Sequence, residues 1–280
     1  MDLKDGVGAG PETAAPQIDV PTSPGRAVLR RVGAAAARLA RKASDFVVPP
    51  VCVACHAPLL DHDTLCPSCW QQIEFIRPPV CDRLGLPMPF DVGGTMISAA
   101  AAADPPVYDR ARAVARYDAA MRELIRDLKF HDQQHARRLL GRWLVEAGRE
   151  ILTDAHAVVP VPLSRLRLWL RRYNQSAVIA AEVARRAGIA YRPLALVRTR
   201  RTRPQPGLSA REREENVRAA FRVPRSRVPE IAGRNVVLVD DVVTTGATAN
   251  ACARALKSAG AARVDILALA LVTDRVPTVR

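Results

Sequence analysis

The sequence predicts an α/β fold: a parallel sheet flanked by helices, preceded by a small cysteine module. Three observations predict it. From Arg110 onward, short apolar runs such as residues 235–239 alternate with amphipathic helical segments, the pattern of strands buried on both faces. Aromatic residues are only 4% of a chain that is 49% hydrophobic, so Ala and Val must fill the core, which suits helices packed on a sheet. Four cysteines fall in two Cys-x-x-Cys pairs within a proline-rich stretch of little periodicity. A length of 280 residues accommodates one medium domain plus such a module.

The elements follow in order. Residues 1–26 are rich in Gly, Pro and Ala and read as a disordered tail. Residues 27–45 place Val28, Leu29, Val32, Ala36, Leu39 and Ala40 near helical spacing, with Arg on the other face. This short amphipathic helix, which completes a leading segment 1–46, suits docking on the protein's own body or on a membrane surface. The cysteine module spans 47–92, the Ala/Pro segment 98–106 reads as a boundary, and the α/β domain spans 107–280. Residues 111–117 alternate as a strand, and Asp118 is placed to cap a helix through Met121, Leu124, Ile125 and Leu128. A helix over 133–150, a buried strand over 155–161 and a helix over 174–187 ended by Gly188 come next. Residues 194–197 read as a short strand, and 198–208, with Pro204, Pro206 and Gly207, as a mobile loop. A helix over 209–219 has Ser209 and Glu212 at capping-box spacing. A strand over 235–239, a helix over 247–259 closed by Gly260 and a strand over 264–272 complete the pattern, with no internal repeat expected.

No run of 18 apolar residues occurs, so no membrane span is expected. The opening residues lack the charged and apolar regions of a secretory signal. The expected location is therefore the cytoplasm, with peripheral contact at the inner membrane as the one membrane role. Thiols stay reduced there, so the six cysteines suggest metal binding before disulfides. Cys52, Cys55, Cys66 and Cys69 supply the four thiolates of a tetrahedral structural zinc site. His56 and His62 lie nearby, with a surface role expected. Cys81 has no partner, because Leu84 stands three residues on, and Cys252 reads as core.

The net charge of +14 is concentrated. Residues 160–235 carry eighteen Arg, no Lys and no Asp against five Glu, while the rest of the chain is nearly neutral. Such a field attracts phosphate, on a small ligand or on nucleic acid.

The densest chemistry follows the strand at 235–239. Asp240 and Asp241 end it, then come Thr244, Thr245, Gly246, Ala247 and Thr248, and a helix begins. A helix N-terminus beyond a strand's carboxyl end offers free N–H groups to a phosphate. Threonine hydroxyls add donors, and the two carboxylates suit ribose hydroxyls or magnesium-bound water. Upstream, a strand at 158–164 runs into Arg165, Arg167, Arg171 and Arg172 before Tyr173-Asn174-Gln175, where arginine forks would hold a pyrophosphate.

The string from Val236 to Thr248 resembles the motif of type I phosphoribosyltransferases. That resemblance implies the fold of those enzymes and binding of 5-phosphoribosyl-1-pyrophosphate. It assigns Asp240 and Asp241 to the ribose hydroxyls, and Thr244, Thr245, Gly246, Ala247 and Thr248 to the 5′-phosphate. It also implies Mg2+ held by the ligand's own oxygens, and a hood loop over 198–208 whose Arg200, Arg201 and Arg203 would face the leaving pyrophosphate. Val158-Val159-Pro160-Val161-Pro162, the arginines before Tyr173-Asn174-Gln175, and Arg198, Thr202, Gln205, Leu208, Arg213, Asn216 and Phe221 in order are similar to the ComF family. So are Leu128-Lys129-Phe130 and the paired cysteines. The similarity covers roughly residues 47–275; Arg172 stands where a Gly commonly precedes Tyr-Asn-Gln. It implies an N-terminal zinc finger and a part in natural competence, handling single-stranded DNA after uptake with other competence proteins. Three functions compete: a phosphoribosyltransferase with an unidentified acceptor, a DNA-handling protein regulated by phosphoribosyl pyrophosphate, and an adaptor that keeps only the fold. The paucity of aromatics weighs against strand binding by stacking, since only Trp70, Phe75 and Tyr173 lie near the basic or zinc segments.

Overall fold

The computed structural model describes residues 49–91, 93–130, 134–163, 173–199, 212, 215, 217 and 219–273. The leading segment 1–46, the arginine run after Ser164, most of the hood loop and most of the helix expected over 209–219 lie outside the described residues. From Pro50 onward the chain forms one compact unit.

Five parallel strands make the sheet, in the order β1 (Ala111–Arg116), β7 (Arg263–Leu271), β6 (Asn235–Val243), β2 (Ala157–Pro160), β3 (Ala190–Tyr191). The apolar runs that predicted buried strands are buried: all four residues of β2 and eight of the nine in β7. A separate antiparallel pair, β4 (Val197–Arg198) with β5 (Phe221–Arg222), precedes a 3-10 helix over Arg225–Glu230.

Helices cover both faces. Against one face lie α3 (Ala119–Phe130), α4 (Gln134–Ala147) and α6 (Gln175–Ala187), whose Leu124, Leu140, Leu144, Ile179 and Val183 meet Val158, Val237 and Leu269. The predicted cap is present, with Asp118 Oδ1 accepting from the Met121 N–H at 2.7 Å. Gly188 closes α6 in the left-handed region at φ +69°. Against the other face lies α7 (Ala247–Ser258), whose Cys252 and Leu256 meet Leu238 and Ile266; Cys252 is core, as expected. The helix expected over 133–150 is instead two, α4 and a short α5 (Arg149–Leu152), parted at Gly148. There a Cβ would lie 2.8 Å from Leu267 Cδ1, so glycine leaves room for the close approach of helix to sheet.

The N-terminal module corrects the expectation of no repeat. Its first half is a ribbon ending in α1 (Pro67–Gln71); its second half is a further ribbon ending in α2 (Ala99–Ala103), inside the stretch read from sequence as a boundary. Corresponding backbone bonds recur: Cys52 N–H to Ala57 O and Cys81 N–H to Leu86 O, Val53 N–H to Thr64 O and Asp82 N–H to Met96 O, Leu59 N–H to Pro50 O and Met88 N–H to Pro79 O. Bridges Val51–Pro58 and Val80–Pro87 match as well. The tight turn needs a left-handed residue in each copy, His56 at φ 59° and Gly85 at φ 69°. Each ribbon joins a different face of the sheet: Val53, Leu65 and Ile73 belong to the core containing Trp143 on α4, Leu86 and Ala101 to the core containing α7.

Candidate functional site

The strand carrying the paired aspartates runs further than its apolar residues suggest. β6 continues to Val243, with Asp240 opposite Ala268 and Val242 opposite Ala270 of β7. The carboxylates are therefore strand residues at the rim of the sheet, half-buried rather than lost in the core. Asp240 Oδ1 accepts from Ser176 Oγ at 3.1 Å, on the first turn of α6, and from the Asp241 N–H at 2.9 Å. Asp241 Oδ1 accepts from the Val242 N–H at 2.8 Å. Burial first, and then the neighbouring Asp241 carboxylate, push Asp240 up to about 8. At neutral pH it is largely a neutral acid.

Three residues beyond β6 the chain turns at Gly246, φ +74°, and α7 begins at Ala247. The Ala247 N–H donates to Thr245 Oγ1 at 3.3 Å. Asp240, Asp241, Thr244, Thr245, Gly246, Ala247 and Thr248 thus share one strand–turn–helix, with carboxylates on the rim and a twelve-residue helix opening beside them. Such an opening presents free N–H groups and positive potential to an anion. The structure brings α6 to the same rim through Ser176, a buried residue that sequence reasoning missed. Arg165, Arg171, Arg172, Arg200, Arg201 and Arg203 lie outside the described residues.

The cysteine pairs do converge. The sulfurs of Cys52, Cys55, Cys66 and Cys69 all lie within 4.8 Å of one another. The Cys66 N–H donates to Cys52 Sγ at 3.3 Å. The Ser68 hydroxyl foremost holds the Cys66 thiol down to about 6, while burial and the other thiols push Cys69 up. Four sulfurs gathered this tightly, with no histidine or carboxylate among the described residues joining the cluster, are the donor set of a closed structural zinc site. His62 instead stacks on His135, 5.2 Å between ring centres. Trp70 on α1 and Phe75 pack with Trp143 of α4, fixing the first ribbon to the helical layer. The Tyr173 hydroxyl donates to the Leu128 carbonyl at 2.6 Å.

In the second ribbon the Ser98 N–H donates to Cys81 Sγ at 3.2 Å, just as Cys66 does to Cys52 in the first. By this superposition Cys81, Leu84, Ser98 and Ala101 occupy the places of Cys52, Cys55, Cys66 and Cys69. One thiol and one hydroxyl remain where four thiols stood. The sequence did hold a signal, since Pro49-Pro50-Val51-Cys52 recurs as Pro78-Pro79-Val80-Cys81.

Comparison with known proteins agrees with both halves of this description. A double zinc ribbon domain matches residues 43–101, and a phosphoribosyl transferase domain matches residues 174–278. The chain is 30% identical over 227 residues to competence protein F of Haemophilus influenzae, covering 78% of this chain and 96% of that one. It is 34% identical over 230 residues to the DNA utilization protein YhgH of Escherichia coli K12, covering 80% and 98%. Among solved structures, the orotate phosphoribosyltransferase of Aeropyrum pernix is similar at 20% identity and a TM-score of 0.31, covering 58% of this chain and 81% of that one.

Proposed function

The chain belongs to the competence protein F family, and from that premise we propose that it binds 5-phosphoribosyl-1-pyrophosphate at the rim formed by β6 and α7. One observation carries the reading: two half-buried carboxylates lie near the end of one strand, and beyond that strand a glycine-capped helix opens. Asp240 and Asp241 would take the ribose 2′- and 3′-hydroxyls. The N–H groups and hydroxyls from Thr244 to Thr248 would wrap the 5′-phosphate. Mg2+ would enter with the donor, held by the donor's own pyrophosphate and ribose oxygens, and would neutralise charge on the leaving pyrophosphate. Arg165, Arg171, Arg172, Arg200 and Arg201 are the candidates for holding the donor's pyrophosphate. A transferase would displace pyrophosphate at the anomeric carbon, and these residues would serve it by orientation and charge neutralisation.

Calorimetry tests the binding. Asp240→Asn combined with Asp241→Asn should remove phosphoribosyl pyrophosphate binding while leaving the unfolding transition cooperative. Unchanged affinity in the double variant refutes the site.

A second reading concerns DNA. Relatives named for competence and DNA utilization support it, as does the arginine field of residues 160–235. In it the protein handles single-stranded DNA in the cytoplasm, at or near the inner membrane and alongside other competence proteins, with phosphoribosyl pyrophosphate as ligand or regulator. No described helix is long and apolar enough to cross a membrane. Replacing Arg171 and Arg172 with Glu should weaken strand binding and flatten its salt dependence. A binding curve equal to wild type removes that surface. Pyrophosphate release measured against a panel of nucleobases separates the readings: turnover selects the transferase, binding without turnover the DNA role.

A further inference from the structure

The second ribbon lacks the four-thiol cluster of the first but shares its fold, and it leads directly into the segment that reaches the mouth of α7. Arg83 Nη2, on that ribbon's turn, donates to the carbonyls of Pro106 at 2.7 Å and Tyr108 at 2.9 Å. The Val107 N–H donates to Asn250 Oδ1 at 2.8 Å, on the first turn of α7. Asp109 accepts from Lys257 Nζ and from the Val264 N–H, each at 2.9 Å. The segment is therefore clamped on both sides of Tyr108.

Tyr108 itself is 2% exposed. A Cβ placed on Gly246 would meet its hydroxyl oxygen at 3.6 Å and its ring carbon Cε1 at 4.0 Å. The phenol thus ends against the bare backbone of the turn that caps α7. Among the described residues, Tyr108 hydrogen bonds through its carbonyl, to Arg83, and its hydroxyl takes no partner. A phenol whose ring is packed in place and whose hydroxyl is unpaired is poised to donate to a ligand.

We propose that Tyr108 is a further ligand residue, its phenol O–H donating a hydrogen bond to the phosphate held at the mouth of α7. The second ribbon, free of metal duty, would then supply one wall of the ligand site. The inference rests on the reading of that turn as the 5′-phosphate site. It adds a donor from outside the strand–turn–helix motif. Burial, and then Cys81, push the Tyr108 phenol up to about 12, so it stays a protonated donor throughout the physiological range. A phenol donating to a phosphate dianion makes a charge-assisted bond.

The test is Tyr108→Phe, which removes the hydroxyl and keeps the ring. Calorimetry with the full chain would use three probes: phosphoribosyl pyrophosphate, ribose 5-phosphate and inorganic pyrophosphate. The variant should bind the first two roughly tenfold more weakly, as expected for one hydrogen bond to a charged group. Pyrophosphate binding and the thermal midpoint should be unchanged. Equal affinity of variant and wild type for both sugar phosphates overturns the role of Tyr108 and leaves the phosphate site standing. Equal weakening for all three probes overturns it too, because the effect would then not belong to the sugar phosphate. A wild type that binds neither sugar phosphate overturns both readings together.

Discussion

Asp240 is held in a state that should destabilise the protein, and replacing it with Asn should reveal by how much. Its carboxyl sits half-buried beside Asp241 and is raised to about 8, whereas an unfolded chain ionises near pH 3.9. A group whose pKa is raised on folding stabilises the folded state below its unfolded pKa. That contribution is lost as pH climbs through the folded pKa, because the unfolded chain releases its proton first. Four units at about 1.36 kcal/mol each give an upper bound of roughly 5 kcal/mol lost between pH 4 and pH 8. Hydration of a rim residue reduces this to about 2 kcal/mol, the bonds from Ser176 and the Asp241 N–H being already part of the raised value. Asp240→Asn cannot ionise, and its amide oxygen keeps both of those bonds. The gap in Tm between the variant and wild type should therefore widen with pH, reaching roughly 4–8 °C above pH 8 relative to pH 4. Thermal unfolding followed by circular dichroism from pH 4 to pH 9 measures it. A gap that is constant, or largest in acid, refutes the reasoning.

Three further outcomes are expected. Elemental analysis should find about one zinc per chain; Cys66→Ser should lose it and Cys81→Ser retain it, and a second zinc, or loss of zinc on changing Cys81, contradicts the ligand assignment. Gly141→Ala should destabilise by about 1–3 kcal/mol in denaturant titrations, because the added Cβ falls 2.3 Å from Glu182 Cγ where α4 crosses α6; an unchanged midpoint contradicts that packing. Gly85→Ala meets the Ala111 carbonyl oxygen at 2.7 Å with φ at +69°, so it should cost about 1–3 kcal/mol in the same titration; a wild-type midpoint refutes this.

Periodicity and punctuation made the sheet legible, because a strand such as β7 that is buried on both faces must be apolar throughout. Asp118 and Gly188 marked helix ends through local chemistry that needs no tertiary context. The end of β6 was hidden for the opposite reason: two carboxylates look like a terminus, yet pairing with Ala268 and Ala270 carries the strand on to Val243. Short β3 and β5 give no period to read. The second ribbon was missed because Leu84, Ser98 and Ala101 carry no ligand chemistry; only the repeated Pro-Pro-Val-Cys betrays it. Ser176 and Tyr108 reach the rim from distant parts of the chain, and nothing local in their surroundings announces it.

A doubled module with its metal confined to one copy divides the molecule's vulnerabilities. Oxidants act on the four thiolates, and chelators and zinc starvation on the metal they would hold, so all three would loosen the half that packs on Trp143. The other copy, cemented by Leu86, Ala101 and the Arg83 clamp, offers such agents little to attack. A cell short of zinc would then keep the rim formed by β6 and α7 intact while the opposite flank frays, and those two responses could be followed separately in one sample.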